Sequence, residues 1–117
     1  MKKEYRIKKN KEIEEVIKNK EYYTNRYFII YLKKNLKTTH FRYAISVGKK
    51  LGKAVTRNRI KRQIVAIIDN SNINFEENND VFIIVKKNVL DIDFSTMGFE
   101  LNYLFKKHKL LKEIPCE

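Results

Sequence analysis

A single α+β domain spanning residues 1–117 is predicted by three features of this chain. Apolar residues recur at helical spacing in three separate segments, alternate with a period of two in others, and the two kinds of segment are interleaved along the sequence. Gly occurs three times and Pro once, which argues against disordered or fibrous classes, and 43% apolar content at this length suffices for one core but not two.

The elements follow in order. Asn10 is placed to cap a first helix in which Ile13, Val16 and Ile17 fall at i, i+3 and i+4. Tyr27 to Leu32 is β-branched and aromatic, with Tyr27, Ile29 and Tyr31 on one face and Phe28, Ile30 and Leu32 on the other. Both faces are apolar, so both should be covered. Lys33 to Thr39 reads as a polar turn, after which Arg42 to Val47 resumes alternation, setting Tyr43, Ile45 and Val47 against a small, polar face of Arg42, Ala44 and Ser46. Gly48 and Gly52 bracket a lysine-rich turn, and Thr56 is placed to cap a helix running to about Ile68. Its apolar stripe is Ile60, Ile64, Ile67 and Ile68, while Arg57, Asn58, Lys61 and Arg62 fall on another side. Asn70 to Asn79 reads as a loop, Val81 to Val85 as a buried strand, and Asp93 as the cap of a last helix with Met97, Leu101, Leu104, Phe105 and His108 in register. The order is α-β-β-α-β-α, with the sheet between helices or covered on one face only.

Charge carries the functional information. The formal net charge is +12, yet no Asp or Glu lies between Glu21 and Asp69, a stretch holding twelve Lys and Arg, while the remainder of the chain is balanced. A concentrated positive field of this kind suits a polyphosphate, with counterion release making binding salt-dependent. Lys outnumbers Arg by twenty to six, yet Arg57, Arg59 and Arg62 fall within six positions. Arginine's planar fork of donors matches phosphate or base edges. Residues 49–62 read KKLGKAVTRNRIKR: Lys49, Lys50 and Lys53 sit in a glycine turn that feeds a helix N-terminus carrying Arg57, Asn58, Arg59, Lys61 and Arg62. A merely solvated helix would intersperse carboxylates at i+4, and none is present.

Other classes are less well supported. The longest apolar runs, Phe28 to Leu32 and Val81 to Val85, are too short to span a bilayer, and the opening MKKEYRIKKNKE lacks an apolar signal core, so no membrane association and a cytoplasmic location are expected. The single Cys116 has no disulfide partner and reads as an incidental thiol. Intrinsic nuclease activity would call for clustered carboxylates or a paired general acid and base. Asp80, Asp91 and Asp93 instead flank a strand and a helix start, where capping and turn roles are the better reading; His40 lies in a turn and His108 on an apolar stripe. A helix-turn-helix DNA reader lacks its second helix, and a shape-selective RNA binder should ignore duplex DNA. A structural or ribosomal RNA-binding protein fits charge and fold class equally well, and only the specific motif argues against it.

That motif, KKLGKAVTRNRIKR, resembles the signature of the protein subunit of bacterial ribonuclease P. The resemblance extends over the whole chain: RIKKN at Arg6 to Asn10, Asn25-Arg26, Tyr31, Ile45-Ser46-Val47 and LFKKHKL near the end follow in the family's order. It implies an α-β sandwich like the second domain of ribosomal protein S5, with the arginine helix in a left-handed crossover between strands. It also implies an endoribonuclease holoenzyme in which a magnesium-dependent RNA removes the 5′ leader of precursor tRNA. The protein then binds no cofactor and has no catalytic residue of its own. Its partners would be the ribonuclease P RNA, gripped by Lys49, Lys50, Lys53, Arg57, Asn58, Arg59, Lys61 and Arg62, and the leader. The leader cleft would be lined by Ile13, Ile17, Ile29, Tyr31 and Ser46. The family often has aromatic residues at the positions of Ile13 and Ile17, so these two are open to either cleft-wall or core roles. Val65 stands where the family commonly continues the basic face with another arginine.

Overall fold

Apolar side chains on both faces of a strand require both faces of its sheet to be covered, and the computed structural model, which describes residues 3–111, shows that the cover is unequal. The strands are β1 (Tyr22–Thr24), β2 (Phe28–Lys34), β3 (Arg42–Val47) and β4 (Asn79–Val85); the helices are α1 (Asn10–Lys18), α2 (Ala54–Asn70) and α3 (Phe94–Lys107). They form a sheet of order β1-β2-β4-β3, in which β2 pairs antiparallel with β1 and β4. The β3–β4 pair is parallel, so α2 is the crossover between them, and the architecture is the expected α+β sandwich.

On one face Phe28, Ile30 and Leu32 of β2, Val81, Ile83 and Val85 of β4, and Tyr43 and Val47 of β3 are buried in a single core with Ile60, Ile64, Ile67 and Ile68 of α2 and Met97, Leu101, Leu104 and Phe105 of α3. Among the described residues the opposite face is covered chiefly by α1, which packs on β2 and β4 with Val16 fully buried beneath it. Nine residues of helix extend about 14 Å, whereas seven-residue strands extend about 23 Å. The helix therefore covers part of this face, and the rest forms an open cleft.

Strand β1 is not anticipated by hydrophobic alternation because its three residues are all exposed. Pairing holds it: Tyr22 lies opposite Tyr31 with ring centroids 5.3 Å apart. Asn25 makes the turn into β2, its Oδ1 accepting from the N–H of Tyr27 and of Phe28, each at 2.8 Å. β2 and β4 also extend two residues beyond the apolar runs, to Lys34 and back to Asn79.

Two of the expected caps are displaced. Asn10 is the first residue of α1 and Lys9 occupies the cap position without a side-chain bond. Helix α2 likewise starts at Ala54, two residues before Thr56, from an uncapping Lys53. Gly52 explains the early start: at φ 131° and ψ −161°, a conformation that favours glycine, it turns the chain directly from the 3-10 turn Lys49–Leu51 into the helix. The first-turn N–H groups of α2 are left without a side-chain cap. Asp93, by contrast, caps α3 as expected, accepting from Thr96 N–H at 2.8 Å, and the Thr96 side chain together with that bond holds its carboxyl below the usual range.

Helix α3 ends at His108, after which Lys109 takes φ 58° and the N–H groups of Lys109 and Leu110 bond back to Lys106 and Phe105. This closure returns Leu110 to the core and buries His108, whose ring meets Tyr23 edge-on at 4.0 Å between centroids. Neither ring nitrogen has a partner in good hydrogen-bond geometry among the described residues, the Ile30 backbone making only a weak contact. Burial pushes the imidazole from 6.5 down to about 4, with the Ile30 backbone opposing part of the shift. The unfolded chain thus binds the proton more readily, and stability present above pH 6.5 is lost as pH falls toward 4. Urea titrations across this window should show a loss on the order of 2 kcal/mol that His108→Phe abolishes; an unchanged slope in the variant would assign the acid sensitivity to other groups.

Candidate RNA-binding surface

The open face of the sheet follows from strand register. Ile29 and Tyr31 of β2 lie opposite Ile84 and Phe82 of β4, which lie opposite Ser46 and Ala44 of β3. All but Ala44 are half-buried, the signature of an apolar floor incompletely roofed. Along the roof Ile13 is half-buried and Ile17 is 36% exposed, against 1% for Val16. Val16 is the packing residue of α1, and Ile13 and Ile17 flank it with more of their surface exposed. Of the five positions expected to line a cleft, Ile29, Tyr31 and Ser46 share one face of the sheet, and Ile13 and Ile17 lie on the helix that packs over it. Phe82 and Ile84 complete the floor and escape the sequence reading, because a wholly apolar run does not reveal which of its residues face the open side.

A guanidinium clamp holds the roof to the sheet. Arg42 donates from Nε to Asp80 Oδ1 at 3.0 Å and from Nη2 to Asp80 Oδ2 at 2.7 Å, and from Nη2 to Glu12 Oε2 of α1 at 2.6 Å. Asn35 adds a bond to Asp80 Oδ2 at 2.8 Å. The hydrogen bond from Arg42 keeps Glu12 below its ordinary carboxylate pKa, and the Asp80 bonds raise that of Arg42. Asp80 is therefore the buried partner of a cross-strand ion pair, not a turn or cap residue as its sequence position suggests. His40 is structural too, its Nε2 meeting the Glu4 carbonyl oxygen and its ring the edge of Tyr5.

The arginine helix begins at the other end of the sheet, just beyond Val47. Asn58, Arg59, Lys61 and Arg62 are exposed, as are Lys49, Lys50 and Lys53 in the preceding turn. Val55, Asn58, Lys61 and Arg62 line one shallow groove of about 510 Å³. Arg59 points around the helix to a second hollow, shared with Asp93 and Phe94 at the start of α3. Arg57 flanks the buried isoleucine stripe: it is half-buried, with Nε enclosed and no hydrogen-bond partner. Lys61 also lines a cavity of about 380 Å³ with Ile13, Arg6 and Lys8, which joins the helix surface to the roof of the cleft. No described carboxylate forms an ion pair with any of these cations. Among the described residues no three His, Cys, Asp or Glu side chains gather to hold a metal, and no helix is long and apolar enough to cross a membrane. Cys116 lies outside the described residues.

A cationic helix N-terminus beside a half-roofed apolar sheet face marks a small α+β protein with a surface suited to phosphate and single-stranded nucleic acid. Comparison with known proteins narrows the class. A family model described as ribonuclease P matches residues 1–109. The ribonuclease P protein component of Listeria monocytogenes is 38% identical over 115 residues, covering 98% of this chain and 97% of the relative. That of Streptococcus pneumoniae is 39% identical over 113 residues, covering 97% and 91%. The solved RNase P protein of Staphylococcus aureus superposes with a TM-score of 0.82 at 34% identity, covering 92% of this chain and 98% of that one. The chain belongs to the ribonuclease P protein family.

Proposed function

We propose that this chain acts as the protein subunit of a bacterial ribonuclease P holoenzyme, supporting removal of the 5′ leader from precursor tRNA. The lysine turn and the exposed cations of α2 bind the catalytic RNA, and the cleft between α1 and the sheet holds the single-stranded leader. The observation that carries this reading is the side-by-side placement, in a member of this family, of an uncompensated cationic helix and a half-roofed apolar sheet face. Bases stack on aromatic floors at about 1–3 kcal/mol each; with isoleucines in the roof, Tyr31 and Phe82 supply the aromatic surface, and the lysines and arginines supply the phosphate contacts.

The catalytic centre is assigned to the RNA. The described carboxylates and histidines are engaged in the Arg42 clamp, the α3 cap and buried or backbone contacts, or lie scattered on the surface, and this reading gives the magnesium of the holoenzyme to the RNA as well. This chain's work is then to bind, orient and screen charge.

Mixing the purified protein with a bacterial ribonuclease P RNA and a precursor tRNA, at magnesium too low for the RNA alone, tests the reading. Stimulated cleavage at the mature 5′ end is expected, with the protein alone inert. RNA binding without stimulation would identify a structural RNA-binding protein instead, and cleavage by the protein alone would move the catalytic centre into this chain.

A further inference from the structure

A further concavity lies beyond the cleft as described so far. A groove of about 760 Å³ runs between the first turns of α1 and the turn joining β2 to β3, and Lys9, Lys11, Lys33, Lys34 and Lys37 line it. Two carboxylates share its wall, and both are engaged: Glu12 by Arg42 at 2.6 Å and Glu15 by Lys33 at 3.7 Å. Lys9, Lys11, Lys34 and Lys37 are exposed and form no ion pair among the described residues. The five lysines outnumber the two carboxylates, and such an excess of like charge is costly in a free protein and favourable when a polyanion binds.

The turn that presents Lys34 and Lys37 is held by a set of hydrogen bonds. Asn35 accepts from Lys37 N–H through Oδ1 at 2.9 Å, its own N–H donates to the Asn78 carbonyl at 2.8 Å, and its carbonyl accepts from Asn78 Nδ2 at 2.7 Å. Leu36 at the tip is 88% exposed, an apolar surface beside the lysines that could meet the face of a base.

Register connects the groove to the cleft. Lys33 is two residues beyond Tyr31 on the same face of β2, and it lies opposite Asp80, which lies opposite Arg42. Phe28, at the other end of β2, lies opposite Val85 and through it Val47, where the lysine turn and the arginine helix begin. The floor from Ile29 to Lys33 is about 13 Å long. The surface assigned to the catalytic RNA is therefore at one end of the cleft and the lysine groove at the other. A leader that enters from the cleavage site, next to the catalytic RNA, leaves past Lys33.

We infer that the groove lined by Lys9, Lys11, Lys33, Lys34 and Lys37 is a second leader-binding site, which holds the phosphates of leader nucleotides upstream of those in the cleft. The inference rests on the leader-binding reading above and adds a dependence on leader length.

The test measures holoenzyme affinity for precursor tRNAs with no leader, a leader long enough to fill the cleft, and a leader several nucleotides longer, using the wild-type protein and the variants Lys34→Ala/Lys37→Ala and Lys9→Ala/Lys11→Ala. The wild type should gain affinity at both steps. Each variant should keep the first gain and lose most of the second, and its salt dependence for the longest leader should flatten by about 1.4, or 0.7 per lost contact with a single strand. Melting temperatures should not move, since these side chains are exposed. If the wild type gains from the short leader but the longer one adds nothing, or if the variants match the wild type on the longest leader, this inference alone is overturned. Equal losses on leaderless substrate would place the lysines on the catalytic RNA and also overturn it. If no leader improves wild-type binding, the leader-binding reading fails and the inference with it.

Discussion

Alanine at Arg42 is expected to destabilise the domain by about 3–5 kcal/mol, the usual cost of leaving a buried charge without its partner. The Asp80 side chain is 3% exposed and the Arg42 side chain 13%, so water has little access to the carboxylate once the guanidinium is gone. Asn35 would remain as a single neutral donor. The same substitution frees Glu12 and with it the hold of the sheet on the first turns of α1, so the cleft should loosen along with the fold. Urea unfolding of Arg42→Ala measures the loss; a change below 1 kcal/mol would mean that the carboxylate is rescued by water or by protonation. Arg42→Lys should recover only part, because an ammonium cannot bridge two carboxylate oxygens in one plane and reach Glu12 as well. Replacing both partners, as in Arg42→Met/Asp80→Leu, should restore much of the stability, since an apolar pair of similar volume leaves no buried charge. The clamp's contribution would then be to fix where α1 sits over the cleft, and weakened leader binding in that stable double variant would show it.

What was legible in the sequence depended on whether the controlling interaction was local. The isoleucine stripe of α2, the cap at Asp93 and the strand Arg42 to Val47 are short-range patterns, and the structure has them at the expected positions, although Ala44 is buried and Ile45 only half-buried. The Arg42–Asp80 pair is not, because its members are separated by 38 positions and meet only through the parallel β3–β4 register. Phe82 and Ile84 were hidden for a related reason: every residue from Val81 to Val85 is apolar, so only the short reach of α1 decides which face stays open. Strand β1 depends on its partner and buries nothing of its own. The start of α2 was misplaced because Gly52, not the capping potential of Thr56, sets it. Even in the arginine motif, spacing identified the helix but not that Arg57 flanks the buried stripe while Arg59 and Arg62 are exposed in different hollows.

That division selects the variant with the largest expected effect on function. Arg59, Lys61 and Arg62 are exposed and none forms an ion pair among the described residues, so Arg59→Ala/Lys61→Ala/Arg62→Ala removes charge from the α2 surface without opening the core. Arg57 is kept, because its half-buried side chain would mix packing with binding. Each cation that neutralises a phosphate contributes ~0.7–0.9 to the slope of log affinity against log salt, so the slope for ribonuclease P RNA should become shallower by about 2–3. The affinity loss should be uniform across RNA sequences and largest at low salt. Stability should change by less than about 0.5 kcal/mol, or rise slightly as self-repulsion in the acid-free block falls. Filter binding or anisotropy from about 50 to 400 mM salt, over which the Debye length shortens from roughly 14 to 5 Å, gives the slope, and a urea titration gives the control. A slope equal to the wild type's would show that these three side chains do not meet phosphate, and the RNA-binding surface would then have to be sought in the Lys49–Lys53 turn and the uncapped N-terminus of α2.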